Sequence, residues 1–227
     1  MDKSVIEAMA KWPNVPHVYG WLSLNERGQW RLHPAGDALR GDLASPGEAI
    51  GSAPILAFIG RNYVCDESGQ WFFQNGPQRV YVRLDAAPFI LRTEPGGQGQ
   101  AALLTHTGLP AVPVRDWLLA DDGRLYAWTP AGPGLMQGHD IEAVLGALRT
   151  LDDTPVLDAL DPSSLPADPL PLAASHLAGS AGVNDTDAPA RDGALLHFCA
   201  AGEVEKRLGF IRHPRPSAAR ADIDSGH

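Results

Sequence analysis

The stretch that most constrains this chain is Trp71 to Leu91, WFFQNGPQRVYVRLDAAPFIL. Val80, Val82 and Leu84 alternate there with Arg79, Tyr81, Arg83 and Asp85. Successive side chains of a strand point to opposite faces, so this spacing predicts a strand with an apolar inner face and a polar outer one. Trp71, Phe72 and Phe73 precede the break Asn75-Gly76-Pro77, which predicts a hairpin. Pro77 has no N–H to give, and on that ground a longer loop is expected in preference to a tight two-residue turn. Pro88 should interrupt or bulge the strand before Phe89 resumes it.

Around this hairpin the chain reads as α+β. Val5, Ile6 and Met9 fall on one face of a short helix that ends before Pro13. Residues 17–24 and 29–32 flank Asn25-Glu26-Arg27-Gly28 as a first hairpin; residues 33–51 read mainly as a loop, although Ser45-Pro46-Gly47-Glu48 has the form of a capping box, and Gly47 and Gly51 would keep any helix there short. Ser52 can cap a helix from Pro54 to Asn62 whose core stripe is Ile55, Leu56, Phe58 and Ile59. Strands are expected at 101–107 and 111–114. A further hairpin, 117–119 with 124–128, leads to a helix capped by Asp140. WLSLNERGQWRL at 21–32 and WLLADDGRLYAW at 117–128 match in their Trp-Leu starts, polar glycine turns and aromatic returns, which reads as a worn duplication of a strand-strand-helix unit.

The segment 151–190 is rich in Pro, Ala and Asp and is expected to bury little, as a linker or a drape over the surface. Residues 194–200 and 204–211, joined at 201–203, predict a last hairpin with Leu196 opposite Leu208. The expected organisation is an N-terminal lobe at 1–98, bounded by the Gly-rich break at 94–100, a second lobe at 99–150, the Pro-rich segment at 151–190 and a hairpin with a polar tail at 191–227.

Charge and motifs narrow the function. A net charge of −9 with a pI near 5.2 repels phosphate backbones over long range, so no nucleic-acid partner is expected. Cys65 and Cys199 form neither a CxxC pair nor a disulfide framework and are expected to be buried thiols in a cytosolic protein. No stretch reaches membrane-spanning length. Gly97 to Ala102 has the form GxGxxA, but an extended sequence follows it where a dinucleotide site needs a helix, so it reads as a turn and no cofactor is expected. His197 and Cys199 share a strand face, yet His213 on the expected partner strand would lie roughly 20 Å along it, which leaves no metal site. His106 and His139 are lone histidines, and no catalytic residue is assigned. Adjacent carboxylates such as Asp66-Glu67 and Asp121-Asp122 read as solvated turns.

The candidate binding surface is Arg79, Tyr81 and Arg83, two guanidiniums around a phenol that suit a carboxylate or phosphate. The competing account pairs them with local acids, Asp85, Asp66 or Glu67. Three readings follow. The favoured one is a cytosolic binding or regulatory protein for a small anionic molecule or another protein; the others are an enzyme assembled from distant residues and a structural subunit of a complex.

YGWLSLNERGQWRL, APILAFIGRNY and WFFQNGPQRVYVRLDAAPFILR together resemble the core of a mainly proteobacterial family known only as a domain of unknown function. They are also distantly similar to a second such family, in which a hairpin, a helix, a hairpin ending in APF and a smaller lobe follow in that order. The resemblance spans roughly 17–149 of this sequence. It implies a two-lobed fold, carries a suggestion of a regulatory role from the second family, and brings no catalytic residues with it.

Overall fold

The computed structural model describes residues 1–41, 45–95, 101–161, 165–173 and 193–216. The chain divides into two compact units, one of residues 1–86 with 210–227 and one of residues 87–209. The fold is α+β, with two mixed sheets in place of the antiparallel lobes expected. The Gly-rich break does not mark the division. It lies between two strands that pair with each other, Phe89–Pro95 and Ala101–Thr105, and the chain changes unit just before Pro88 instead.

The first unit opens with α1 (Lys3–Lys11), which buries Val5. A six-stranded sheet follows, built from β1 (Val18–Leu24), β2 (Trp30–Leu32), β3 (Glu48–Ala49), β4 (Tyr63–Cys65), β5 (Trp71–Asn75) and β6 (Gln78–Leu84) in the spatial order β3-β2-β1-β6-β5-β4. β1, β2 and β3 are antiparallel neighbours, α2 (Ala53–Arg61) crosses over, and β4, β5 and β6 return so that β6 lies parallel to β1. The expected helix at 54–62 is thus present within a residue at each end. The capping-box form at Ser45 opens no helix. Gly47 takes φ +69°, and Ser45 donates its N–H and hydroxyl to the Asp37 carboxylate, which leaves Glu48–Ala49 free to join the sheet edge.

The hairpin between β5 and β6 is tight, because Asn75 pairs with Gln78 across Gly76-Pro77. Gly76 takes φ +57° at the first turn position, and proline's fixed negative φ suits the second position of a type II′ turn. The missing N–H therefore costs nothing there. Phe72, Phe73, Trp71, Tyr63 and Trp30 fill the interior, with Trp30 and Tyr63 edge to face at 5.0 Å.

The second unit has a seven-stranded sheet in the order β12-β13-β9-β10-β11-β7-β8, made of β7 (Phe89–Pro95), β8 (Ala101–Thr105), β9 (Asp116–Ala120), β10 (Leu125–Thr129), β11 (Gly132–Met136), β12 (Leu170–Pro171) and β13 (Leu195–Cys199). β9, β10 and β11 are antiparallel neighbours, α3 (Ile141–Ala147) and α4 (Val156–Ala159) follow, and β13 returns parallel to β9. The strand expected at 111–114 is absent. Asp140 does not cap α3 with its side chain; its carboxylate accepts the N–H and hydroxyl of Thr93 instead.

The Pro-rich segment buries more than its composition suggests. Val156 and Leu172 are fully enclosed, and Leu170–Pro171 pairs with β13. Residues 162–164, 174–192 and 217–227, with half of the expected linker and most of the polar tail, lie outside the described residues, as do Gly97 to Gln100 of the GxGxxA motif. The last hairpin is replaced by a strand and a helix. After β13 the chain forms a 3-10 turn and then α5 (Val204–Leu208), in which Val204 and Leu208 bury one face at helical spacing and Gly209, at φ +71°, ends the helix. Leu196 therefore faces Trp117 and Leu170, not Leu208. No helix of the described residues is long and apolar enough to cross a membrane.

Candidate functional site

Arg79, Tyr81 and Arg83 share one face of β6, as the alternation requires, but that face is covered. Tyr81 is 4% exposed. Its ring stacks on Tyr19 at 4.5 Å and its hydroxyl donates to Asp66 Oδ2 at 3.0 Å. The Arg83 guanidinium donates to the Ala38 carbonyl at 2.8 Å and pairs with Asp85 at 3.0 Å, and Arg79 lies over the Phe72 ring at 4.5 Å. Two of the three thus meet local acids, Asp66 and Asp85, as the competing sequence account has it. Burial raises the Asp66 carboxyl, but hydrogen bonds from Ser68, the Gln70 N–H and Tyr81 outweigh it and hold the group below its ordinary value.

A buried polar cluster lies on the same side of the sheet. Ser23 Oγ is 2.8 Å from His33 Nε2, and His33 Nδ1 is 3.5 Å from Asp37 Oδ1 and 3.4 Å from Ser45 Oγ. The residue types are those of a Ser-His-Asp triad, and the sequence reading missed the set because its members converge from β1 and the loop after β2. Ser23 and His33 have no exposed surface, so the hydroxyl cannot meet a substrate. Burial and the Arg83 charge hold His33 below its usual value and keep the imidazole neutral. The cluster ties His33, Asp37 and Ser45 to β1. Its sequence signal was the spacing of His33 and Asp37, one helical turn apart in a Gly/Pro loop.

The opposite face of the sheet carries an open groove of about 690 Å³. Val18 and Leu22 of β1, Leu32 of β2, Phe73 of β5, Val80 of β6 and Ile55 and Ile59 of α2 form its apolar wall. Glu48, Ser52, Asn75 and Gln78 supply polar groups, and among the described residues Glu48 is the single ionisable one lining it. Trp21 also lines the groove although it neighbours Leu22. The β1–β6 register shifts between Val18 and Leu22, and Gly20 within that shift takes φ +82°. Such a bulge re-aims the side chain that follows. The Trp21 indole rests against Gly36, where a Cβ would stand 3.3 Å from its Nε1. Trp21, Leu32 and Ile55 are 45%, 40% and 50% exposed, so three large apolar side chains of one groove face water.

Other sequence candidates are placed elsewhere. His106 is buried, its Nδ1 accepts the Ile90 N–H at 3.2 Å, and burial with the nearby Arg92 charge lowers its pKa to about 4. His139 is largely exposed beside Asp140. Cys199 is buried as expected. Cys65 is exposed, because it sits on the edge strand β4. Among the described residues no group of three or more His, Cys, Asp or Glu could hold a metal ion.

The family described as "Protein of unknown function (DUF2946)" matches residues 1–215. The chain belongs to this family. The match reaches beyond the 17–149 of the resemblance seen in sequence and takes in the segment after α3 together with β13 and α5. No curated protein matches. Among solved structures, a DUF1285 family protein from Silicibacter pomeroyi DSS-3 is similar at 16% identity and a TM-score of 0.45, with 85% of this chain and 87% of that one covered. A DUF1285 family protein from Shewanella baltica OS155 is similar at 17% identity and a TM-score of 0.39, over 55% of this chain and 89% of that one.

Proposed function

We propose that this DUF2946 member is a binding module whose site is the apolar groove of the first unit, and that its role is recognition. The observation that carries the reading is a cavity of about 690 Å³ walled by Val18, Leu22, Ile55, Ile59, Phe73 and Val80. Small-molecule sites are typically about 300–1,000 Å³, mostly apolar, with a few polar groups that orient the ligand. Burying one side chain such as Ile55 or Leu32 is worth roughly 1.5–3 kcal/mol, so a ligand that covers several gains affinity from surface the fold leaves wet. The same observation moves the expected ligand away from a small anion, since among the described residues the groove presents one carboxylate and no cation. The acidic composition and two cysteines distant in sequence support a cytosolic setting.

The second unit supports a worn duplication. β1-β2-β3-α2-β5-β6 and β9-β10-β11-α3-β12-β13 run in the same order, each with its last strand parallel to its first. On this reading one copy kept an open face for a ligand.

The test is titration with the uncharged probe N-phenyl-1-naphthylamine. Saturable fluorescence enhancement is expected, and Ile55→Arg, on an exposed helix position, should weaken it at least tenfold while the circular dichroism stays unchanged. Equal affinity in both proteins, or enhancement that never saturates, would overturn the assignment.

A further inference from the structure

We infer that the ligand of this groove is an amphiphile with a cationic head, a statement that rests on the groove being the binding site. The wall is hydrocarbon and aromatic, which fixes an apolar body for the ligand. The head is fixed by what stands at the polar margin. Glu48 belongs to the two-residue edge strand β3, is exposed, and is the single ionisable side chain of the groove among the described residues. Among the described residues its carboxylate is in no ion pair within the protein, whereas Arg83 is engaged by Asp85 and Arg61 by Asp2.

Trp21 adds a second group of the same preference. Trp21 lines the same groove, its indole lies against Gly36 and the residue is nearly half exposed. An ammonium over an indole face is attracted by the ring quadrupole, most strongly for tryptophan among the aromatic residues. A carboxylate and an indole on one apolar groove therefore favour a cation, leave a neutral polar head indifferent and disfavour an anion. The protein's charge of −9 acts in the same direction at long range but is screened beyond about 8–10 Å at physiological salt. Discrimination at 0.15 M salt must then come from the groove's own groups.

The experiment displaces N-phenyl-1-naphthylamine from the full chain with decylammonium, decanol and decanoate, which share one tail and differ in head charge. Decylammonium is expected to displace the probe at a concentration about tenfold below that needed by decanoate, with decanol between them. Glu48→Gln should narrow the spread to about threefold, and Glu48→Lys should reverse the order. Glu142→Lys, an exposed position in the second unit, makes the same change in net charge and should leave the order intact. Trp21→Leu should reduce the advantage of decylammonium over decanol while decanol itself shifts little. Equal displacement by all three heads, or an order that Glu142→Lys changes as much as Glu48→Lys, overturns this inference and leaves the groove as the binding site. Displacement by none of them removes the groove reading and this inference with it.

Discussion

Trp21 and Trp117 open the two matching hairpins, WLSL and WLLA, yet Trp21 is 45% exposed and Trp117 is 1% exposed. The preceding residue accounts for the difference. Asp116 is an ordinary strand residue whose carboxylate accepts the Leu195 N–H at 2.9 Å, and β9 then pairs without a break with β10 on one side and β13 on the other. Gly20 takes φ +82° and lies so close to Gly36 that a Cβ would fall 2.5 Å from the Gly36 carbonyl oxygen. There the β1–β6 register shifts, and Trp21 lines the groove. Similar local sequences thus give a sealed sheet face in one unit and an open one in the other.

The comparison breaks most sharply at Gly20. Gly20→Ala must place a side chain in left-handed backbone and against a carbonyl, and a loss of about 2–5 kcal/mol is expected by denaturant unfolding. An unchanged midpoint would mean that the bulge is not built on this contact. The second unit has its own sensitivity, to acid. The folded-state value of His106, about 4, lies below the ordinary 6.5, so unfolded chains bind more protons between these values. Its stabilisation is full above pH 6.5 and is lost as pH falls towards 4, a change of roughly 3 kcal/mol. His106→Asn keeps an acceptor for the Ile90 N–H and should flatten that slope; the same slope in the variant would contradict the burial of the ring.

Asp116→Ala should cost about 1–3 kcal/mol, because it leaves the Leu195 N–H without its acceptor, and hydrogen exchange at Leu195 should quicken. Tyr81→Phe has the smallest effect, about 1 kcal/mol, from loss of the bond to Asp66. Stability indifferent to that hydroxyl would return Tyr81 to the solvent-facing role that alternation alone assigned to it.

Alternation did locate β6 and did group Arg79, Tyr81 and Arg83 on one face. It could not say that Tyr19, stacked on Tyr81, would cover that face, since strand periodicity reports parity and not what packs above it. The helix at 53–61 was legible because the spacing of its apolar residues and its proline near the start act locally, but of the expected core stripe only Ile59 is buried and Ile55 is exposed. α5 was misread as a strand because Val204 and Leu208 suit either period over so short a run, and Gly209 at the end was the stronger signal. Parallel pairing of β1 with β6 and of β9 with β13 joins residues some sixty to eighty positions apart, and no local pattern encodes it. The groove was invisible for a related reason. An exposed Ile55 or Leu32 has the same letter as a buried one, and only the assembled sheet shows which apolar face lacks a cover.

On the reading proposed above, the open face of the first unit is where a ligand binds. Methyl resonances followed during titration with N-phenyl-1-naphthylamine test it directly. Val18, Leu22, Ile55, Ile59 and Val80 are predicted to shift together and saturate, while Leu118, Leu125 and Leu135 of the second unit stay in place. Saturating shifts confined to the second unit, or none in either, would contradict the account.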